Sequence, residues 1–192
     1  MDFLIPCYRL NTISKISLFM KNYQLSASKF ITWATHRKIL PRVRGLVEHF
    51  SHHQAVVKYQ RLASVPLPAS ASNCAVAWSQ RENMPLDLVT AKLLMSECEI
   101  KAIWQDLVLI GRVDQAYVDK QNRVILVDSK AHPSVTFSDQ LQLSFYAYIL
   151  RKNGHHIGDY GYIRSYACQD IEYLEVDIIP AVAFIEILRL ID

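Results

Sequence analysis

The stretch that decides the fold runs from residue 107 to 130, Leu-Val-Leu-Ile-Gly111-Arg-Val-Asp114-Gln-Ala-Tyr-Val-Asp-Lys-Gln-Asn122-Arg-Val124-Ile-Leu-Val-Asp128-Ser-Lys130. Two β-rich runs flank Asp119-Lys-Gln-Asn122, a turn composition, so the segment predicts a β-hairpin of about Leu107–Val118 and Arg123–Lys130. With Lys120-Gln121-Asn122 as a three-residue loop and Asn122 in the left-handed position, the register sets Asp114 opposite Asp128. Residues two apart on a strand share a face, so Asp128 and Lys130 point the same way. Two acids ~5 Å apart across a ladder repel, and apolar neighbours add a desolvation cost. A hard divalent cation, Mg²⁺ or Mn²⁺, relieves both, because it takes carboxylate oxygens and keeps waters. A lysine on the same face can orient or help deprotonate an attacking water and hold a phosphate, the arrangement used in metal-assisted hydrolysis.

Outward from the hairpin, helical and extended patterns alternate. Ser26 or Ser28 caps a helix that Pro41 ends. Arg42 to Leu62 follows as a second helix, with an apolar stripe of Val43, Leu46, Val47, Phe50 and Val57. Val65 to Asn73 is a Pro- and Ser-containing loop, and Leu86 to Glu97 is a third helix, with strands from about Ile100. Beyond the hairpin come a helix from about Ser138 to Lys152 closed by Asn153-Gly154, strands over about Asp159–Tyr166 and Ile171–Asp177, and a last helix from Pro180 to Leu190. That order predicts an α/β fold, a central mixed sheet flanked by helices with a helical N-terminal part. The 192 residues suit one domain, divided into a basic helical part (1–65), a connector (66–85) and a catalytic sheet with helices (86–192).

Composition sets limits. About half the residues are apolar and a fifth charged, 51% and 20%, a globular balance. No apolar run approaches the ~20 residues of a membrane helix, and the N-terminus lacks a signal-peptide pattern, so a cytoplasmic protein is expected. Cys7, Cys74, Cys98 and Cys168 are scattered with no CxxC pair, which argues against a zinc ribbon or a disulfide scaffold. Residues 1–70 carry a balance of +8 and residues 71–192 one of −5. A basic segment joined to an acidic one suits a polyanion partner for the first and a cation site in the second.

Together the motifs resemble the PD-(D/E)XK nuclease superfamily, in its RecB-type branch. Gly111-Arg-Val-Asp114 is similar to its GxxD, Asp128-Ser-Lys130 to its (D/E)xK, Gln142-Leu-Ser-Phe-Tyr146 to its QxxxY, and Gly45-Leu-Val-Glu-His49 to its upstream Gly-xxx-His. Leu25 to Phe30 resembles the segment that often opens such domains. The resemblance spans about residues 25–180 and includes CRISPR-associated and phage RecB-like exonucleases.

It implies a restriction-endonuclease-like core and a Mg²⁺- or Mn²⁺-dependent deoxyribonuclease acting on ends or single strands. The metal would lie on His49, Asp114, Asp128 and the Ser129 carbonyl; Lys130 would orient the water, and Gln142 and Tyr146 would support substrate. Arg37, Lys38 and Arg42 would track DNA phosphates, with Trp33 or Tyr23 stacking on unpaired bases. His52 and His53 are expected as bystanders, and Glu97 and Glu99 as surface charge. Ser129 and Ala131 stand where the branch often has tyrosine and threonine. Only Cys168 follows the helix that bears QxxxY, so no iron–sulfur cluster is expected. Without a Walker motif, any motor is a separate helicase or recombination protein. The rival classes are a nuclease-fold subunit that binds or assembles without efficient catalysis, and an RNA nuclease.

Overall fold

The computed structural model describes residues 23–29, 31, 43–59 and 76–190. Its elements in order are β1 (Tyr23–Ser26), α1 (Val43–Tyr59), α2 (Leu86–Thr90), β2 (Lys92–Trp104), β3 (Leu107–Val118), β4 (Val124–Lys130), α3 (Phe137–Lys152), β5 (Tyr160–Ser165), β6 (Glu172–Asp177) and α4 (Ala181–Arg189). One mixed sheet of six strands runs β1-β3-β4-β5-β6, with β2 paired to β3 from the other side. Helices flank it, the expected α/β architecture.

The hairpin forms as its sequence dictates. Asn122 takes the left-handed conformation at φ 60°, and the Asp119 carboxylate accepts from the backbone N–H groups of Gln121 and Arg123, both at 2.8 Å. Pairing runs from Val118↔Val124 to Gln115↔Val127, the expected register, and stops one pair short of Asp114 and Asp128. Below that point β3 pairs along the same edge with β1, from Leu107 to Ile110. Residues 111–114 thus occupy a notch where neither strand pairs with that edge.

Each sheet face has its own core. Val124 and Leu126 pack with Leu143, Phe145, Leu150 and α4's Phe184 and Leu188. Ile125 and Val127 pack with Val56, Trp78, Leu88 and Tyr162. Buried on both sides, β4 is therefore a continuous apolar run rather than an alternating one. Each such fully buried side chain contributes about 1.5–3 kcal/mol by transfer from water. On β3, Val113 and Ala116 lie in the same cluster and Tyr117 in the other, so the inward alternation slips by one across Asp114 and Gln115. α3 starts in a capping box, Thr136 Oγ1 accepting from Asp139 N–H while Asp139 Oδ2 accepts from Thr136 N–H.

Several expectations need correction. The helix expected over Leu86–Glu97 ends at Thr90, Ala91 is extended, and Lys92 opens the thirteen-residue strand β2. A register shift between Leu93 and Met95 and the left-handed Glu97, φ 51°, erase the period of two that would have betrayed a strand. On α1, Phe50 and Val57 of the expected stripe are exposed while His52 and Val56 are buried; the side chains of Val43, Leu46 and Val47 lie outside the described residues. Of the first expected helix, residues 27–29 and 31 are helical and Ser26 Oγ accepts from Lys29 N–H at 3.3 Å, but Tyr23–Ser26 forms β1. The supposed helical part therefore donates a strand to the sheet, and the supposed connector ends in a helical segment, 76–81, whose Trp78 is core. The loop expected over 65–73, with residues 32–42, lies outside the described residues.

Candidate metal centre

The notch in β3 exposes a backbone to side chains, and Asp114 fills it. Its Oδ2 accepts from the Ser129 N–H at 2.8 Å, standing in for the missing ladder bond. The same oxygen lies 3.1 Å from His49 Nδ1, and His49 Nε2 lies 3.1 Å from the Ser129 carbonyl oxygen. α1 thus brings His49 down between β3 and β4. Glu97 enters from β2, with Oε1 3.4 Å from His49 Nδ1. A non-glycine residue in the left-handed region costs about 1–3 kcal/mol and persists where surroundings enforce it; here it turns the carboxylate inward.

His49, Glu97 and Asp114 each offer a ligand atom within 4.8 Å of the others, and Ser129 O adds a carbonyl. Two carboxylates, one imidazole and one carbonyl suit a Mg²⁺- or Mn²⁺-type ion. The electrostatics agree with a site that wants a cation: hydrogen bonding to Asp114, then to Glu97, raises the His49 pKa to about 10 despite partial burial. In the metal-free protein the imidazolium lies between the two acids, and Arg112 Nε stands 3.3 Å from the other Glu97 oxygen, Oε2.

On the other side of β4 lies a second set. Asp128 is buried; Oδ1 accepts from Gln142 Nε2 at 2.7 Å and Oδ2 lies 2.5 Å from Lys130 Nζ. Lys130 also donates to Gln142 Oε1 at 2.9 Å, and Gln142 Nε2 donates to Tyr146 OH at 2.8 Å. Burial pushes the Asp128 carboxyl up to about 6, opposed by Lys130 and reinforced by Asp114. Burial works against the Lys130 ammonium, but Asp128 and Asp114 outweigh it and its pKa rises. Lys130 is therefore a fixed cation and hydrogen-bond donor.

Gly111 explains itself by contact: a Cβ there would lie 2.7 Å from Tyr146 Cε1. The glycine and the tyrosine of two separate motifs touch, and through Gln142 that contact reaches Asp128 and Lys130.

Of the expected site residues, His49, Asp114, Ser129, Asp128, Lys130, Gln142 and Tyr146 converge on one end of β4. Asp128 borders the His49–Glu97–Asp114 cluster, its oxygens turned to Gln142 and Lys130. Arg37, Lys38, Arg42 and Trp33 lie outside the described residues. Glu97, expected as surface charge, joins the cluster; its signal was hidden by the misassigned strand. His53 Nδ1 bonds Ser96 Oγ at 2.8 Å, and His52 is buried beside Trp78, so neither touches the cluster. No helix among the described residues is long and apolar enough to cross a membrane.

No protein-family model and no curated protein matches the chain. Among solved structures, one titled "Crystal structure of SSO0001" aligns over 90% of this chain and 77% of that one, with 12% identity and a TM-score of 0.43.

Proposed function

We propose that the protein is a metal-dependent deoxyribonuclease, an exonuclease acting on DNA ends or single strands, of the PD-(D/E)XK type. The observation that carries the reading is the pairing of two sets at one end of β4. His49, Glu97, Asp114 and Ser129 O form a cation-seeking cluster on one side, and Asp128, Lys130 and Gln142 form a bonded set on the other. Asp128 stands at the border and is a further candidate ligand.

A bound Mg²⁺ or Mn²⁺ supplies Lewis acidity to a phosphodiester and lowers the pKa of a coordinated water. The chain's own residues do the rest. Asp114, tied to β4 through the Ser129 N–H, keeps its carboxylate oriented. Lys130, charged at neutral pH, offers N–H donors to phosphate oxygens or to the attacking water, and it orients rather than abstracts. Gln142 holds both Asp128 and Lys130 with one amide, so the two cannot drift apart. The basic first 70 residues hold the phosphate backbone. A cytoplasmic setting and cooperation with a separate helicase or recombination protein belong to the same proposal.

The test is incubation of labelled linear, circular, single-stranded and double-stranded DNA, with an RNA of matching sequence, in Mg²⁺, Mn²⁺ or EDTA. Cleavage of linear or single-stranded DNA that needs metal supports the proposal. Absence of cutting on every DNA substrate with either metal rejects it, and cutting of RNA alone moves the reading to a ribonuclease.

A further inference from the structure

Arg164 on β5 is among the most deeply buried side chains of the molecule, 2% exposed. Its Nε donates to Glu82 Oε2 at 2.7 Å and its Nη1 to Glu48 Oε1 at 3.0 Å. Glu48 immediately precedes His49 on α1. Arg164 also pairs with Ser129 in the β4–β5 ladder, and in-register neighbours project their side chains from the same face. One guanidinium therefore spans from the strand beside Ser129 to the helix turn that bears His49, while His49 itself reaches back to the Ser129 carbonyl. The two links close a loop, Ser129–Arg164–Glu48–His49–Ser129.

Among the described side chains of α1, Val56 is the one fully buried hydrophobic, and it lies two turns beyond His49. The described positions nearer the cluster that are at least partly buried are Glu48, His49, His52 and His53. A planar fork holding two carboxylates sets both depth and rotation there. His52, buried against Trp78, lies with Nδ1 3.6 Å from Glu82 Oε2, the carboxylate that Arg164 also holds.

We infer that Arg164, acting through Glu48, is the positioning residue that seats His49 in the metal cluster. The inference rests on the proposed metal reading and names a device that no motif contains. A group that orients a ligand typically changes metal affinity 10–100-fold when removed.

The experiment uses the full chain, with Glu48→Gln as the main variant because Glu48 is partly exposed and its shape is kept. Arg164→Lys, which keeps the charge and loses the fork, is the second variant. Mn²⁺ affinity is read by electron paramagnetic resonance in wild-type and His49→Ala backgrounds. Glu48→Gln should weaken Mn²⁺ binding about tenfold in the wild-type background and less than about twofold when His49 is absent. Arg164→Lys should follow the same pattern. In metal-free protein, the ring N–H of His49 held by Ser129 O should shift or broaden in proton–nitrogen spectra of both variants. Equal losses in the two backgrounds would make Arg164 a general structural residue and overturn the inference, as would a His49 signal unchanged in both variants. Wild-type protein that binds no Mn²⁺ would reject the metal reading, and an altered His49 signal would then still uphold the positioning role.

Discussion

Gly111→Ala is the perturbation whose outcome the geometry fixes most tightly. The new methyl would sit 2.7 Å from Tyr146 Cε1 and 2.8 Å from Cδ1, where ordinary contact begins at 3.4 Å. The ring must retreat by about 0.7 Å, yet Tyr146 is 5% exposed and lies in the core between sheet and helix. Overpacking of this kind costs about 1–3 kcal/mol, which in a chain of this size lowers Tm by roughly 2–12 °C. The displaced phenol also drags on Gln142 and thus on Asp128 and Lys130. Misplacement by about 1 Å in a catalytic set costs on the order of a hundredfold in rate. Thermal melts and single-turnover cleavage of labelled DNA read the two effects separately. In a Tyr146→Leu background the clash is gone, and Gly111→Ala should cost less than about 1 kcal/mol. Wild-type stability in the single variant, or the same cost in both backgrounds, would show that the Tyr146 ring does not set the need for glycine at 111.

Three further outcomes are expected. His49 has a folded-state pKa of about 10 against an ordinary 6.5, so its share of stability in EDTA is complete below pH 6.5 and fades as pH rises toward 10; His49→Gln should flatten melts taken across pH 7–10. Lys130→Ala should abolish cleavage and leave calorimetric Mn²⁺ binding in place, because a charged lysine has no lone pair to give; loss of the binding signal in a folded variant would contradict the assigned role. Replacing Arg37, Lys38 and Arg42 by Gln should flatten the log–log salt slope of DNA binding, measured by anisotropy in Ca²⁺, by about two to three units; an unchanged slope would make these residues a solvated surface.

The parts legible in the sequence are those set by local chemistry. Asn122 in the left-handed position and the Asp119 turn determine the hairpin register, and register alone brings Asp114 near Asp128. The apolar run Val124–Val127 marks a strand covered on both faces, and Gln142 with Tyr146 falls on one side of α3 because they are four residues apart. What stayed hidden depends on contacts distant in sequence. Glu97 faces inward only because β2 bulges and turns left-handed beside β3. Glu48 turns toward the sheet because Arg164, more than a hundred residues away, supplies its partner. β1 is four residues long, and its strand character comes from the open edge of β3 rather than from any pattern of its own. Neither Glu82 nor Arg164 sits in a motif, so no spacing announces them.

In the proposed function the cluster around Asp114 cuts DNA with metal. The most direct measurement is the rate of cleavage of end-labelled single-stranded DNA in Mn²⁺ by wild-type protein and by Asp114→Asn, which keeps the shape and removes the charge. Wild type should cut, EDTA should stop it, and the variant should be slower by at least about two orders of magnitude. A variant that cuts at the wild-type rate, or a wild-type protein that leaves the strand intact, would rule out the proposed activity.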